Sequence, residues 1–193
     1  MARLFSAGQG VVYKGGYGGL LGVTTTVSTR AEAIKVVDKD AANGGDFIKL
    51  WVDDEHHMIP VKMPYAMSKA VIDEAHKHHL HALAHVYYLA DAKELVKEGL
   101  DGFAHEIRDQ PVDKALLDAM KAHGTWQAAA TLSRESSYSW AIMPFLADPF
   151  FTRGVSTGTL DALRSPAREK NVVLGYSAVP GLPYKKKVFW DRD

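Results

Sequence analysis

Two hydrophobic periods take turns along this chain. Short apolar runs of strand length are followed by longer stretches with apolar residues three and four apart, the spacing of one helix face. Residues 3–7 (RLFSA) predict a strand, and a glycine-rich loop, GQGVVYKGGYGGLLG, follows it. Thr29 and Glu32 have capping-box spacing and open a helix whose apolar face is Ala33, Val36, Val37 and Ala41, stopped by NGG at 43–45. The run 46–52 (DFIKLWV) predicts a strand, 64–79 a helix, 80–87 a strand, and 90–98 a helix ended by Gly99. Residues 101–107 predict a strand and 111–123 a helix that starts at Pro111, is capped by Asp109 and is followed by Gly124; 125–132 predict a further strand. SWAIMPFLADPFF and TLDALRSPAREK read as shorter helices, and 171–193 carry no clear period.

Strands alternating with amphipathic helices imply βαβ units and a parallel sheet. Both the open doubly wound sheet and the (β/α)8 barrel fit this order. The length of 193 residues and the apolar fraction of 47% suit a single domain, or a piece of a larger one, with an ample core. Charges balance at 23 basic and 23 acidic residues, so no net field favours nucleic acid or an anionic membrane. No run approaches the ~20 apolar residues that span a bilayer, and the N-terminus lacks the apolar core of a signal peptide. Cysteine is absent, which excludes disulfides and thiolate chemistry. The compartment stays open, with the cytoplasm as default.

The strand ends carry the chemistry. On 46–52, Phe47, Lys49 and Trp51 share one face, and a lysine among such neighbours is unusual in a buried strand. On 80–87, His81, Leu83 and His85 share a face; on 101–107, Phe103, His105 and Ile107 do. Lys49, His85 and His105 thus fall near the C-terminal ends of three consecutive strands, where a β/α barrel holds its active site. Neutral imidazoles there suit a divalent metal such as zinc. A desolvated lysine can react with carbon dioxide to give a carbamate, an anionic oxygen ligand able to bridge two ions. The alternative for each residue is a satisfied core histidine, and for Lys49 a snorkelling edge lysine.

At these residues the sequence resembles the amidohydrolase superfamily, in its imidazolonepropionase- and prolidase-like branch. GGDFIKLWVDD is similar to that family's strand four with its carboxylated lysine, at Lys49; ALAHVY to strand five with a metal-binding histidine, at His85; and EGLDGFAHEIRD to strand six, at His105. GTWQAAATLSRE resembles strand seven and GGYGG the loop after strand three, with Tyr17 where relatives often carry histidine. The resemblance covers about residues 3–170 and implies a partial TIM-type barrel of about five parallel strands, family strands three to seven, with helices outside. The family's His-x-His on strand one and its aspartate on strand eight have no counterpart, so no catalytic base is assigned and a fragment is expected. The resemblance implies a metal-dependent hydrolase of carbon–nitrogen bonds, in non-peptide or dipeptide amides, or of related esters. One or two divalent ions, zinc foremost, would sit on Lys49, His85 and His105, with Tyr87 and Arg108 as substrate contacts. A small-molecule substrate is the expected partner. A catalytically inactive half-barrel, associating with itself through open sheet edges, is the alternative. Nucleotide binding by the glycine loop lacks the required spacing. DDEHH (53–57) reads as a polar loop, HKHH (76–79) as solvated, and Trp51, Trp126 and Trp140 as packing residues.

Overall fold

The computed structural model describes residues 2–54, 57, 59–107, 109–128 and 144–165. The chain divides into two compact units, Met1–Ala130 and Thr131–Asp193. The first holds a six-stranded sheet: β1 (Gly10–Tyr13), β2 (Thr24–Val27), β3 (Phe47–Trp51), β4 (His81–His85), β5 (Gly102–Phe103) and β6 (Trp126–Gln127). The spatial order is β2-β1-β3-β4-β5-β6, and all five pairings are parallel. From β1 through β3 to β6 neighbours follow chain order, as in a (β/α) barrel, while β2 lies on the far side of β1. Helices α1 (Arg30–Ala42), α2 (Tyr65–Lys77), α3 (Leu89–Glu98) and α4 (Lys114–His123) make the crossovers.

The helix starts follow local chemistry. Thr29 caps α1 with a complete capping box: its hydroxyl accepts from the Glu32 N–H, and the Glu32 carboxylate accepts from the Thr29 N–H. Asp113 caps α4 by accepting from the Leu116 N–H, so that helix begins at Lys114, not at Pro111. Asp109 instead accepts from the N–H of Leu89, the first residue of α3. It therefore satisfies an orphan donor of the preceding helix, a role only the folded chain can give it.

The strands start later than the apolar runs suggest, or stop sooner. Residues 3–7 are not a strand; the first one is Gly10–Tyr13, inside the expected glycine loop, and Thr24–Val27 adds a strand from a threonine-rich stretch. The core lies between sheet and helices. Ile48, Leu50 and Val52 of one chain segment and Ala82, Ala84 and Val86 of another pack there with Val37, Val71, Ile72, Leu95 and Leu116. Strand alternation then sends Lys49, Trp51, Leu83 and His85 to the opposite face.

At the N-terminal ends of β4 and β5 the Asp101 carboxylate collects three donors. The Ala82 N–H lies 2.7 Å away, His76 Nε2 2.8 Å and His81 Nδ1 2.9 Å. The first part of HKHH is therefore bonded, and His78 meets Asp38 at 2.7 Å. In the second unit, Asp148 caps α5 (Pro149–Thr152) and Ser156 caps α6 (Thr157–Arg164), while Arg164 donates to the Leu146 carbonyl.

Burial alone would raise the pKa of Asp101, but the Ala82 N–H and the two imidazoles outweigh it and hold the carboxyl below its usual range. Its stabilisation is complete above the unfolded pKa of about 3.9 and is lost as pH falls through the lower folded value. Asp101→Ala should cost about 2 kcal/mol in urea unfolding at neutral pH, and the difference from the parent chain should shrink towards pH 3. An unchanged midpoint at pH 7 would show that the clasp contributes nothing.

Candidate metal centre

The parallel register fixes the neighbours at the C-terminal end of the sheet. Trp51 of β3 pairs with His85 of β4, and Lys49 with Leu83. Strand alternation therefore puts Lys49, Trp51 and His85 on one face, with Lys49 two residues before the end of β3. The Lys49 Nζ lies 4.4 Å from the centre of the Trp51 ring. The His85 ring stacks near it at 6.4 Å between centroids, tilted by 20°.

His105 reaches the same place by a different route. On an unbroken strand it would share the face of Phe103, which packs into the helix-side core. The strand ends at Phe103, and a bend at 104–105 turns the His105 ring back to 4.4 Å from the His85 ring, edge to face. Tyr17, from the turn after β1, covers His85 from another side at 5.5 Å. Tyr87 lies just past β4, its ring 5.0 Å from that of Tyr88. Arg108 falls outside the described residues.

Two carboxylates that the sequence placed in a polar loop are buried beside this cluster, Asp53 at 2% exposure and Asp54 at 4%. Asp53 Oδ2 stands 3.7 Å from His85 Nε2. Asp54 accepts from the Tyr88 hydroxyl at 2.6 Å and from the backbone and ring of His57. Burial alone would push Asp54 up, but Tyr88 and His57 prevail and lower it. Across the same loop, Lys62 and Tyr65 both reach Asp91 at 2.6 Å. These contacts tie the segment after β3 to the start of α3. The sequence signal for Asp53 was its position directly after the Lys49 strand, which composition alone does not distinguish from a solvated loop.

The Lys49 Nζ is enclosed and has no hydrogen-bond partner among the described residues. Desolvation lowers its pKa to about 7, against a smaller opposing pull from Asp53. A neutral amine beside two adjacent imidazoles and a buried carboxylate is a donor set suited to a divalent cation. Among the described residues, the group of carboxylates and imidazoles whose ligand atoms lie within 4.8 Å of one another is Asp38, Glu74 and His78, on α1 and at the end of α2. It lies in the helical layer, and Glu74 also pairs with Lys77 at 2.6 Å.

Six parallel strands flanked by helices make a partial (β/α)-barrel arrangement. Among solved structures, the chain is similar to a prolidase complexed with N-methylphosphonate-L-proline, at 16% identity and a TM-score of 0.60 over 91% of this chain and 45% of that one. It is similar to a Xaa-Pro dipeptidase with methionine bound in its active site, at 19% identity and a TM-score of 0.57 over 70% of this chain and 38% of that one. It is also similar to the A. niger ochratoxinase, at 15% identity and a TM-score of 0.57 over 92% of this chain and 43% of that one. The chain thus spans less than half the length of each. No protein-family model and no curated protein matches it. Among the described residues, no helix is long and apolar enough to cross a membrane.

The lowered Lys49 pKa sets a pH dependence. Between about 7 and the unfolded value of about 10.4, the unfolded chain binds a proton that the folded chain lacks. Stability of metal-free, CO2-depleted protein should therefore rise with pH across that window, by up to about 1.4 kcal/mol per unit from this group. Lys49→Met should remove that contribution and be the more stable protein at pH 6. Parallel stability–pH curves for the two would contradict a desolvated lysine.

Proposed function

We propose that this chain carries part of the active site of a metal-dependent hydrolase for carbon–nitrogen bonds, in non-peptide or dipeptide amides, or for related esters. The observation that carries this reading is the enclosed Lys49 Nζ, without a hydrogen-bond partner among the described residues and with its pKa at about 7, on the same sheet face as His85, whose ring adjoins that of His105. Lys49, His85 and His105 would hold one or two divalent ions, zinc foremost. A metal bound there supplies Lewis acidity towards water and the substrate carbonyl at neutral pH.

The chain's own residues do the rest. Neutral Lys49 can attack the carbon of carbon dioxide: an N–C bond forms, one C=O electron pair moves to oxygen, and the nitrogen's proton leaves to solvent. The product is an anionic carbamate in place of a buried amine. Asp53, 3.7 Å from His85 Nε2, adds negative charge that keeps a cation in this pocket. Tyr17 and Trp51 keep water from the imidazole between them. Tyr87 and Arg108, from the segments after β4 and β5, would touch the substrate. The likeness in fold to a prolidase and a Xaa-Pro dipeptidase makes Xaa-Pro dipeptides the first amides to test.

A second reading is a half-barrel without activity. It is favoured by the two strands that end the sheet among the described residues, β2 and β6. Such edges would support self-association.

Protein purified from zinc-supplemented medium should retain zinc by elemental analysis. His85→Asn and His105→Asn should each weaken zinc binding by more than ~100-fold, beyond the usual cost of losing an outer-sphere partner. Hydrolysis of Xaa-Pro dipeptides and N-acyl amino acids should appear with zinc and bicarbonate and vanish with chelator. Retained zinc without turnover would select the inactive reading; no zinc at all would remove both the ion and the reaction.

A further inference from the structure

We propose that Trp51 is a positioning residue: its indole, wedged between two glycines, is the wall that shields Lys49 from water and holds His85 in place. Four observations meet at this ring. Lys49 Nζ lies over it at 4.4 Å. His85 stacks near its plane and is its direct partner across the β3–β4 ladder. A Cβ on Gly10 would come within 2.1 Å of the indole's benzo ring, and a Cβ on Gly18 within 2.7 Å of its pyrrole side. Distances this short leave no room for any side chain but hydrogen at either position.

The wedge has a clear physical purpose. Trp51 points to the face away from the helices, where the core gives its side chain no support. The gap left by Gly10 on β1 and by Gly18 in the following turn receives the ring and fixes its plane. An aromatic face offers an amine or ammonium a favourable electrostatic surface without a hydrogen-bonding oxygen that would hold it in another direction. The same flat surface restricts the His85 ring. The glycines of the segment after β1 therefore act as the mould of this wall, and no phosphate-binding role is needed to explain them.

The metal arm of the test rests on the hydrolase reading above; the chemical-labelling arm does not. In the full chain, Trp51→Leu keeps apolar bulk but removes the aromatic face, and Trp51→Phe keeps the face. Acylation of each lysine by a water-soluble N-hydroxysuccinimide ester, at one fixed pH, is followed by peptide mass spectrometry, with Lys121 as an internal control. Trp51→Leu should accelerate labelling of Lys49 by ~10-fold relative to Lys121 and weaken zinc binding by ~10-fold, and Trp51→Phe should return both to within ~3-fold of the parent. Gly10→Ala should resemble Trp51→Leu, and the double variant Gly10→Ala/Trp51→Phe should recover, because the smaller ring vacates the clash. Equal labelling of Lys49 in all folded variants would overturn the proposal. So would a rise shared by Lys121, or a Trp51→Phe variant no better than Trp51→Leu, since either reports general loosening. If Trp51→Leu does not fold, the Gly10→Ala pair decides by the same criteria. A parent chain that binds no zinc but protects Lys49 through Trp51 would refute the metal reading and leave the wall standing.

Discussion

Each strand of a parallel sheet commits alternate side chains to opposite faces, and every strand ends at the same edge. In this protein one face is claimed by the helices, which take Ile48, Leu50, Val52, Ala82, Ala84 and Val86. Lys49, Trp51 and His85 have no choice but the other face, and the register of β3 on β4 sets Trp51 beside His85. A slip of one residue would reverse both sets and expose the core. The apolar packing between sheet and helices thus holds the polar cluster in place, although none of those apolar residues belongs to it.

The two ends of the sheet do different work. At the N-terminal end, Asp101 gathers His76, His81 and the Ala82 N–H in three hydrogen bonds. Towards the C-terminal end, Lys49 is enclosed without a hydrogen bond among the described residues, and Asp53 is buried within 3.7 Å of an imidazole. The first arrangement lowers the energy of the fold. The second costs folding energy, because a buried amine gives up its hydration, and such a cost is characteristic of sites shaped for a ligand. The loop after β3 is tied to the start of α3 by Asp54 with Tyr88 and by Asp91 with Lys62 and Tyr65.

Most of the architecture was legible before the fold was seen. The alternation of short apolar runs with amphipathic stretches located β3, β4, β5 and the four crossover helices, because burial of one helix face or strand face leaves a period in the sequence. It misplaced the first strand, since Gly10–Tyr13 sits among glycines whose reason for being there is the indole of a residue some forty positions on. It gave Asp109 to the wrong helix, because a cap's nearest acceptor in sequence was not its nearest in space. It read Asp53 and Asp54 as part of a polar loop and did not show their burial, since nothing local records that Tyr88 and His85 come to lie beside them.

By itself the sequence determined the βα alternation, the helix caps at Thr29 and the placement of Lys49 and His85 at strand ends, all consequences of interactions within a few residues. Only the tertiary structure decided that β2 pairs outside β1, that a bend after Phe103 swings His105 across to His85, and that Gly10 and Gly18 close on Trp51. Those outcomes depend on contacts between segments distant in the chain, and a side chain's period carries no record of the partner that will pack against it.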